Sequence, residues 1–163
     1  MQNAGTRRST KKLIVRKAKF SDADEIHKLI NRYASEDKML PRSIAEIHEH
    51  MNSFFVAEHD GKIVGCCSLQ AYYHALGEVR SLAVLDEYTG KGIGTKLVRA
   101  CLSKARKLGM KEVFTFTYVP KFFKRFHFKR VKREKIHPKL WIECMKCPKY
   151  PNCDEKAMIL KLE

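Results

Sequence analysis

No run of eighteen apolar residues occurs in the 163-residue chain, so a membrane-spanning helix is not expected. Acidic residues are scarce: 18 Asp and Glu stand against 33 Lys and Arg, for a formal net charge of +15. Such an excess draws anions, from small phosphates and carboxylates to nucleic acid. The opening MQNAGTRRSTKK has no acid and no apolar segment behind its basic residues, so a secretory signal is not expected there. It is short for an organellar transit peptide and reads as a mobile basic tail over 1–12, ahead of a single domain over 13–163. A cytoplasmic location is the expectation. The signatures of helix-turn-helix, RNA-recognition and zinc-finger modules are also missing. The six cysteines do not make a secreted disulfide framework, because the chain is long and rich in ordinary core residues.

What is present is the patterning of one compact domain. Apolar residues make up 44% of the chain, enough to fold around one core. LIVRKA (13–18) reads as a strand. SDADEIHKLINRYASED reads as a helix, with Ile26, Leu29, Ile30, Tyr33 and Ala34 at helical spacing and Ser21 as N-cap. RSIAEIHEHMN is a second, short helix, with Ser43 and Glu46 spaced as a capping box. FFVAEHDGKIVGCCSLQAYY reads as a hairpin turning at Asp60-Gly61. GEVRSLAVL (77–85) is another strand. The stripe Leu97, Val98, Cys101, Leu102, Ala105 and Leu108 marks a long helix ended by Gly109. EVFTFTY is a strand, PKFFKRFHF starts a helix on proline, and AMILKLE is strand-like. The order β-α-α-β-β-β-α-β-α-β-β predicts an α/β domain, a mixed sheet with helices on both faces. Cys66, Cys67 and Cys101 lie in apolar runs and read as small core residues.

Between the 77–85 strand and the long helix lies YTGKGIGTKLV, with glycines at 90, 92 and 94. It fits neither the P-loop nor the dinucleotide fingerprint. Physically it is a turn whose N–H groups can point inward, at the mouth of a helix near Ile93 whose first amides lack partners. Together these suit a diphosphate; a glycine turn without a ligand is the alternative.

SLAVLDEYTGKGIGTKLV resembles motif A of the GNAT superfamily of acetyl-CoA-dependent N-acetyltransferases, usually written [RQ]xxGxG[AG]. Here it reads Thr89-Gly90-Lys91-Gly92-Ile93-Gly94-Thr95. The resemblance implies the acyl-CoA N-acyltransferase fold, a splayed central sheet flanked by helices, with acetyl-CoA as co-substrate. It departs from the pattern at Thr89, which replaces the usual Arg or Gln and removes a cationic contact; Lys91, Lys96 and the amide array are the compensating groups. PKFFKRFHF is similar to the family's LYxKxGF segment, with Phe123 at the tyrosine position and His127 at the glycine position. Phe123 cannot donate a proton, so the usual acid is absent there. Cofactor contacts are thus expected from Leu82, Ala83 and Val84 along the strand, Thr89 to Thr95 at the turn, and Phe123.

LPRS (40–43), FFVAEHDGKIVGCCSL (54–69), EVRSLAV (78–84), FTYVPKFFKRFHF (116–128) and WIECMKCPKYPNCDEKAMIL (141–160) resemble the short bacterial N-acetylglutamate synthases. That implies transfer of an acetyl group to the α-amine of L-glutamate. Two carboxylates need two cationic ends. Arg42, beside the Leu40 backbone, is one candidate, or else a surface arginine at a helix start. Arg80 is the other, with Lys121 third. Period-two geometry places Glu78, Arg80, Leu82 and Val84 on one strand face. Glu78 is either the base that takes the amine proton, as the strand glutamate does in histone-acetylating members, or the structural ion-pair partner of Arg80. Tyr118 is either the acid for the leaving thiolate or a packed aromatic. The oxyanion is expected at amides near Val84.

Two features fall outside that account. Cys144, Cys147 and Cys153 give CxxC and a third cysteine, which would bind zinc with His137 or a core cysteine as fourth ligand, form a redox pair, or remain reduced; no metal is assigned to catalysis. KFFKRFHFKRVKREK (121–135) interleaves basic and aromatic residues and reads as a solvated basic face that attracts small anions. A nucleic-acid-binding domain is the rival reading, and transfer to another amine is the rival within the enzyme class. A homodimer is allowed; no membrane partner is expected.

Overall fold

The computed structural model describes residues 12–73, 75–136 and 153–163. The elements follow the expected order: β1 (Leu13–Lys17), α1 (Ala23–Ala34), α2 (Ile44–Glu49), β2 (Phe54–His59), β3 (Lys62–Tyr72), β4 (Leu76–Val84), α3 (Ile93–Lys107), β5 (Glu112–Thr117), α4 (Pro120–Lys124), β6 (Lys129–Arg130) and β7 (Lys156–Lys161). The seven strands form one sheet in the order β1-β2-β3-β4-β5-β7-β6. All pairs are antiparallel except β4 with β5. The β2–β3 hairpin turns on Asp60 and Gly61, both at positive φ (51° and 78°), as a two-residue primed turn requires.

Helices α3 and α4 cover one face, where Leu97, Val98, Cys101 and Leu102 pack with Val64, Cys67, Leu69 and Phe123. Helices α1 and α2 cover the other, where Ile26, Ile30 and Ile47 pack with Val56, Cys66 and Ala83. Cys66, Cys67 and Cys101 are fully buried, as core residues. Burial pushes the Cys66 thiol up to about 12. The hydrogen bond with Cys101, and then burial, raises Cys67 as well, so these thiols stay protonated.

The capping box at α2 forms: the Ser43 side chain accepts from the Glu46 amide, and Glu46 reaches back to the Ser43 amide. Ser21 is not the N-cap of α1. A 3-10 turn over Phe20–Asp22 precedes the helix, and Asp22 occupies the cap position. The reason is electrostatic. Arg16 on β1 donates to both Asp22 carboxylate oxygens at 2.7 and 3.0 Å, and the Lys19 amide donates at 2.7 Å. Arg16 also donates to Glu58 at 2.8 Å. Burial alone pushes the Asp22 carboxyl up, but these donors outweigh it and hold the carboxyl below its ordinary value. Its contribution is therefore present above about pH 4 and is lost as pH falls through the depressed value. Asp22→Asn is expected to cost about 3 kcal/mol at neutral pH. Urea unfolding from pH 7 to pH 3 checks this, the gap to wild type narrowing below about pH 4.

Candidate active site

The parallel pairing of β4 with β5 covers only Leu76–Glu78 against Glu112–Phe114. Beyond it the strands separate. Thr115 Oγ1 donates to the Val79 carbonyl at 2.8 Å, so a side chain stands in where the ladder stops. On its other edge β4 carries a bulge. Ser68 faces Arg80 and Cys66 faces Ala83, so Ser81 and Leu82 together oppose Cys67. Ser81 sits at φ 55°, the local twist that the extra residue demands.

This bulge overturns the period-two expectation. Glu78 and Arg80 lie on the face shared with Gln70 and Ser68. Leu82 and Val84 instead pack toward the α3 core, while Ala83 joins the α1–α2 core. One inserted residue reverses the alternation.

The splay opens a cavity of about 680 Å³ lined by Leu40, Arg42, Glu78, Arg80, Leu82, Thr117, Tyr118 and Phe123 among others. Strand β3 aims its polar groups. Tyr72 donates to Glu78 Oε2 at 2.8 Å, and Arg80 Nη2 donates to Gln70 Oε1 at 3.3 Å. Asn31 of α1 holds the Arg42 carbonyl at 2.8 Å and so fixes the segment between α1 and α2 at the cavity edge. Tyr118 is half-buried there, next to Thr117, whose hydroxyl accepts the Val119 amide at 2.9 Å. Arg133 lines the wall and donates to Cys153 Sγ at 3.2 Å and the Glu155 carbonyl at 3.1 Å. Lys121 is exposed and does not line the cavity. Gln70 and Tyr72 were legible only as hairpin residues; the register that sets them diagonal to Arg80 and Glu78 is the signal that finds them.

The glycine turn lies at the end of β4, past a 3-10 turn over Asp86–Tyr88. Gly90 and Gly92 adopt left-handed backbone, φ 74° and 79°. Helix α3 starts at Ile93 with Gly92 as N-cap and no side chain capping it, which leaves its first amides for an anion. Thr89, Gly90, Lys91 and Gly92 are exposed. Thr89 Oγ1 donates to the Asp86 carbonyl at 2.8 Å, and Lys91 Nζ stands 5.3 Å over the Tyr88 ring. Ile93 contributes only backbone, since its side chain is buried in the core, and Gly94 and Thr95 are half-buried. Of the expected cofactor residues, Leu82 and Phe123 alone line the cavity. The rest form the surface turn or the strand leading to it.

Residues 88–135, which begin at this turn, contain fifteen Lys and Arg and two Asp and Glu, so most of the charge excess lies in this segment. Within 121–135, Phe123, Phe126 and Phe128 are buried while Lys121, Lys124, Arg125, Lys129 and Arg130 are exposed. The aromatics are core residues, and the basic side chains form the outer face. His127, at the family's glycine position, has φ 71°, the left-handed geometry that glycine otherwise supplies. Cys144, Cys147 and His137 lie outside the described residues; Cys153 is half-buried and carries no disulfide.

Residues 20–128 match the acetyltransferase (GNAT) family. The chain belongs to the GNAT family. This acetyltransferase is 43% identical over 148 residues to an uncharacterized N-acetyltransferase of Chlorobaculum tepidum, covering 91% of this chain and 96% of that one. It is 37% identical over 121 residues to an amino-acid acetyltransferase of Mycobacterium tuberculosis, covering 72% of this chain and 69% of that one. A Mycobacterium tuberculosis crystal structure in complex with CoA superposes with a TM-score of 0.81 at 31% identity, covering 92% of this chain and 99% of the other. The N-acetylglutamate synthase of Neisseria gonorrhoeae shares the fold, with a TM-score of 0.84 at 23% identity; the match covers 93% of this chain and 35% of that one. The GNAT protein described here is an acetyl-CoA-dependent N-acetyltransferase. No helix among its described residues is long and apolar enough to cross a membrane.

Acetyl-CoA is a polyanion approaching a strongly basic face, so its capture is steered by charge. kcat/KM for acetyl-CoA is expected to fall several-fold as ionic strength rises from about 0.01 to about 0.1 M, where the screening length shrinks from about 30 to about 10 Å. Steady-state kinetics across that range, with kcat unchanged, checks it.

Proposed function

We propose that this acetyltransferase transfers the acetyl group of acetyl-CoA to the α-amine of L-glutamate, giving N-acetylglutamate and CoA. The observation that carries the reading is the convergence of Glu78, Arg80 and Arg42 on one cavity beside the unladdered part of β4. The lining carries both signs, with Asp37, Glu78, Asp154 and Glu155 among Lys38, Arg42, Arg80 and Arg133. A mixed lining suits an acceptor that is itself a zwitterion. The names of the curated amino-acid acetyltransferases it resembles support the same class.

In this reading the diphosphate of the coenzyme rests on the amides from Gly90 to Thr95, with Thr89, Lys91 and Lys96 at hand. Its pantetheine arm follows the edge of β4 at Leu82, Ala83 and Val84 like an added strand. Phe123 packs against it. Arg42 and Arg80 receive the two carboxylates of glutamate, and the Leu40 backbone closes over one of them. Lys121 takes no part, because it stands outside the cavity.

Glu78, oriented by Tyr72, takes one proton from the α-ammonium group. The neutral amine attacks the thioester carbon and the C–N bond forms. The oxyanion is met by the Val84 amide. As the adduct collapses, the C–S bond breaks and the thiolate takes a proton from Tyr118; the second proton of the nitrogen passes through water to restore the Tyr118 hydroxyl, and Glu78 gives its own proton to solvent.

Glu78→Gln is expected to lower kcat about a hundredfold and to move activity to higher pH, where the free amine forms without a base. An unchanged pH–rate profile returns Glu78 to a structural role. Arg80→Ala is expected to raise KM for glutamate about a hundredfold, the loss of a charged hydrogen-bonded contact, with KM for acetyl-CoA unchanged. Gly92→Val places a β-branched side chain at left-handed φ and is expected to weaken CoA binding tenfold or more, read by calorimetry. The acceptor is fixed by CoA release across a panel of amino acids. Turnover of another amine with glutamate inert removes the synthase reading and leaves the acetyltransferase intact.

A further inference from the structure

A buried tyrosine outside the cavity lining contacts the end of the strand along which the coenzyme is proposed to lie. Tyr33, on the last turn of α1, is 6% exposed. Its hydroxyl lies 2.8 Å from the Val84 carbonyl and 3.0 Å from Asp86 Oδ1. The direction of that carbonyl follows from its neighbour. The Leu85 amide donates to the Val64 carbonyl on β3 at 2.9 Å. In a trans peptide the C=O and N–H point opposite ways, so the Val84 carbonyl points away from β3, into the opening between β4 and β5. Without Tyr33 it would be an acceptor at the edge that receives the coenzyme.

We propose that Tyr33 is a positioning residue. It pins the 84–85 peptide from the open side while Val64 pins it from the sheet side, and so fixes Val84 for contact with acetyl-CoA. Because it takes the Val84 carbonyl, the strand pairing offered to the pantetheine arm ends at Val84, where the chain turns toward the diphosphate site. The second contact reinforces this. Asp86 opens the 3-10 turn whose main-chain carbonyl holds both the Thr89 amide and the Thr89 hydroxyl, at 3.2 and 2.8 Å. One phenol thus ties the end of β4 to the start of the glycine turn. Tyr33 remains a donor at working pH: burial, and then Asp86, raises its pKa.

This inference rests on the coenzyme lying along β4, and the test separates the two. Tyr33→Phe keeps the buried ring and removes only the hydroxyl. The expected result is a CoA Kd and an acetyl-CoA KM about tenfold higher, the size of one lost hydrogen bond, with KM for the acceptor unchanged. An apparent Kd rises only as the folded fraction falls well below one, so urea unfolding that shows Tyr33→Phe folded under the assay conditions removes a loss of stability as the cause. Asp86→Ala leaves the bond to Val84 in place and removes only the reinforcing contact, so it is expected to weaken CoA binding about two- to threefold, less than Tyr33→Phe does. Wild-type CoA affinity in Tyr33→Phe, or an equal loss in Asp86→Ala, overturns the role assigned through Val84. If Gly92→Val also binds CoA as wild type does, the placement of the coenzyme fails as well. If Gly92→Val is impaired while Tyr33→Phe is not, only the tyrosine proposal falls.

Discussion

The site depends on a strand that is paired on one side only. After Glu78, β4 keeps β3 and loses β5. An edge inside a sheet is a hazard, because unpaired amides and carbonyls are costly when buried. Here the exposed length is short and partly answered by side chains. Thr115 takes the Val79 carbonyl and Tyr33 takes that of Val84. What they leave is a brief run of backbone around Leu82, open to a cavity. The bulge at Ser81 belongs to the same arrangement. It turns Glu78 and Arg80 toward one face and Leu82 toward the other, so polar side chains and strand edge meet from different directions.

Charge is arranged on the same plan. The outer basic residues near α3 and α4 remain in solvent, where each contributes little to stability but together they form a lasting field. Inside the cavity the groups are held by partners: Glu78 by Tyr72, Arg80 by Gln70, Arg133 by Glu155 and Cys153. A polyanion is attracted over distance by the first set. A small zwitterion, the acceptor proposed above, would be sorted at contact by the second.

The order of elements was legible in the sequence because each long element carries a strong period. The hairpin at Asp60-Gly61, the capping box at Ser43 and the start of α3 after Gly92 rest on local rules that tertiary packing did not override. The face of Leu82 was not legible. Nothing in EVRSLAV marks an extra residue, since the bulge is defined by its opposition to Cys67 on another strand. Ser21 lost the cap to Asp22 for the same kind of reason: Arg16 is near in sequence, but its approach is set by the β1–β2 ladder and shared with Glu58. Glu78, Arg80 and Arg42 could be named as a set, whereas Tyr72 and Gln70, which aim two of them, depend on a register that no local pattern states.

The distance between the glycine turn and the cavity is itself a packing result. Helix α3 can approach the sheet closely because Gly65 has no side chain. A Cβ there would meet Leu97 at 3.1 Å, the Ala83 carbonyl at 3.2 Å and Ile93 at 3.3 Å. Cys67 and Cys101, both small and fully buried, keep the same interface thin farther along. Ile93 is the first residue of α3, so the seat of its side chain beside Gly65 fixes where the open amides of the helix point. A larger residue at position 65 would lift Ile93 and Leu97 and carry the turn away from the end of β4. The glycine turn and the cavity are on separate elements, yet their spacing is set by a few small side chains that belong to neither.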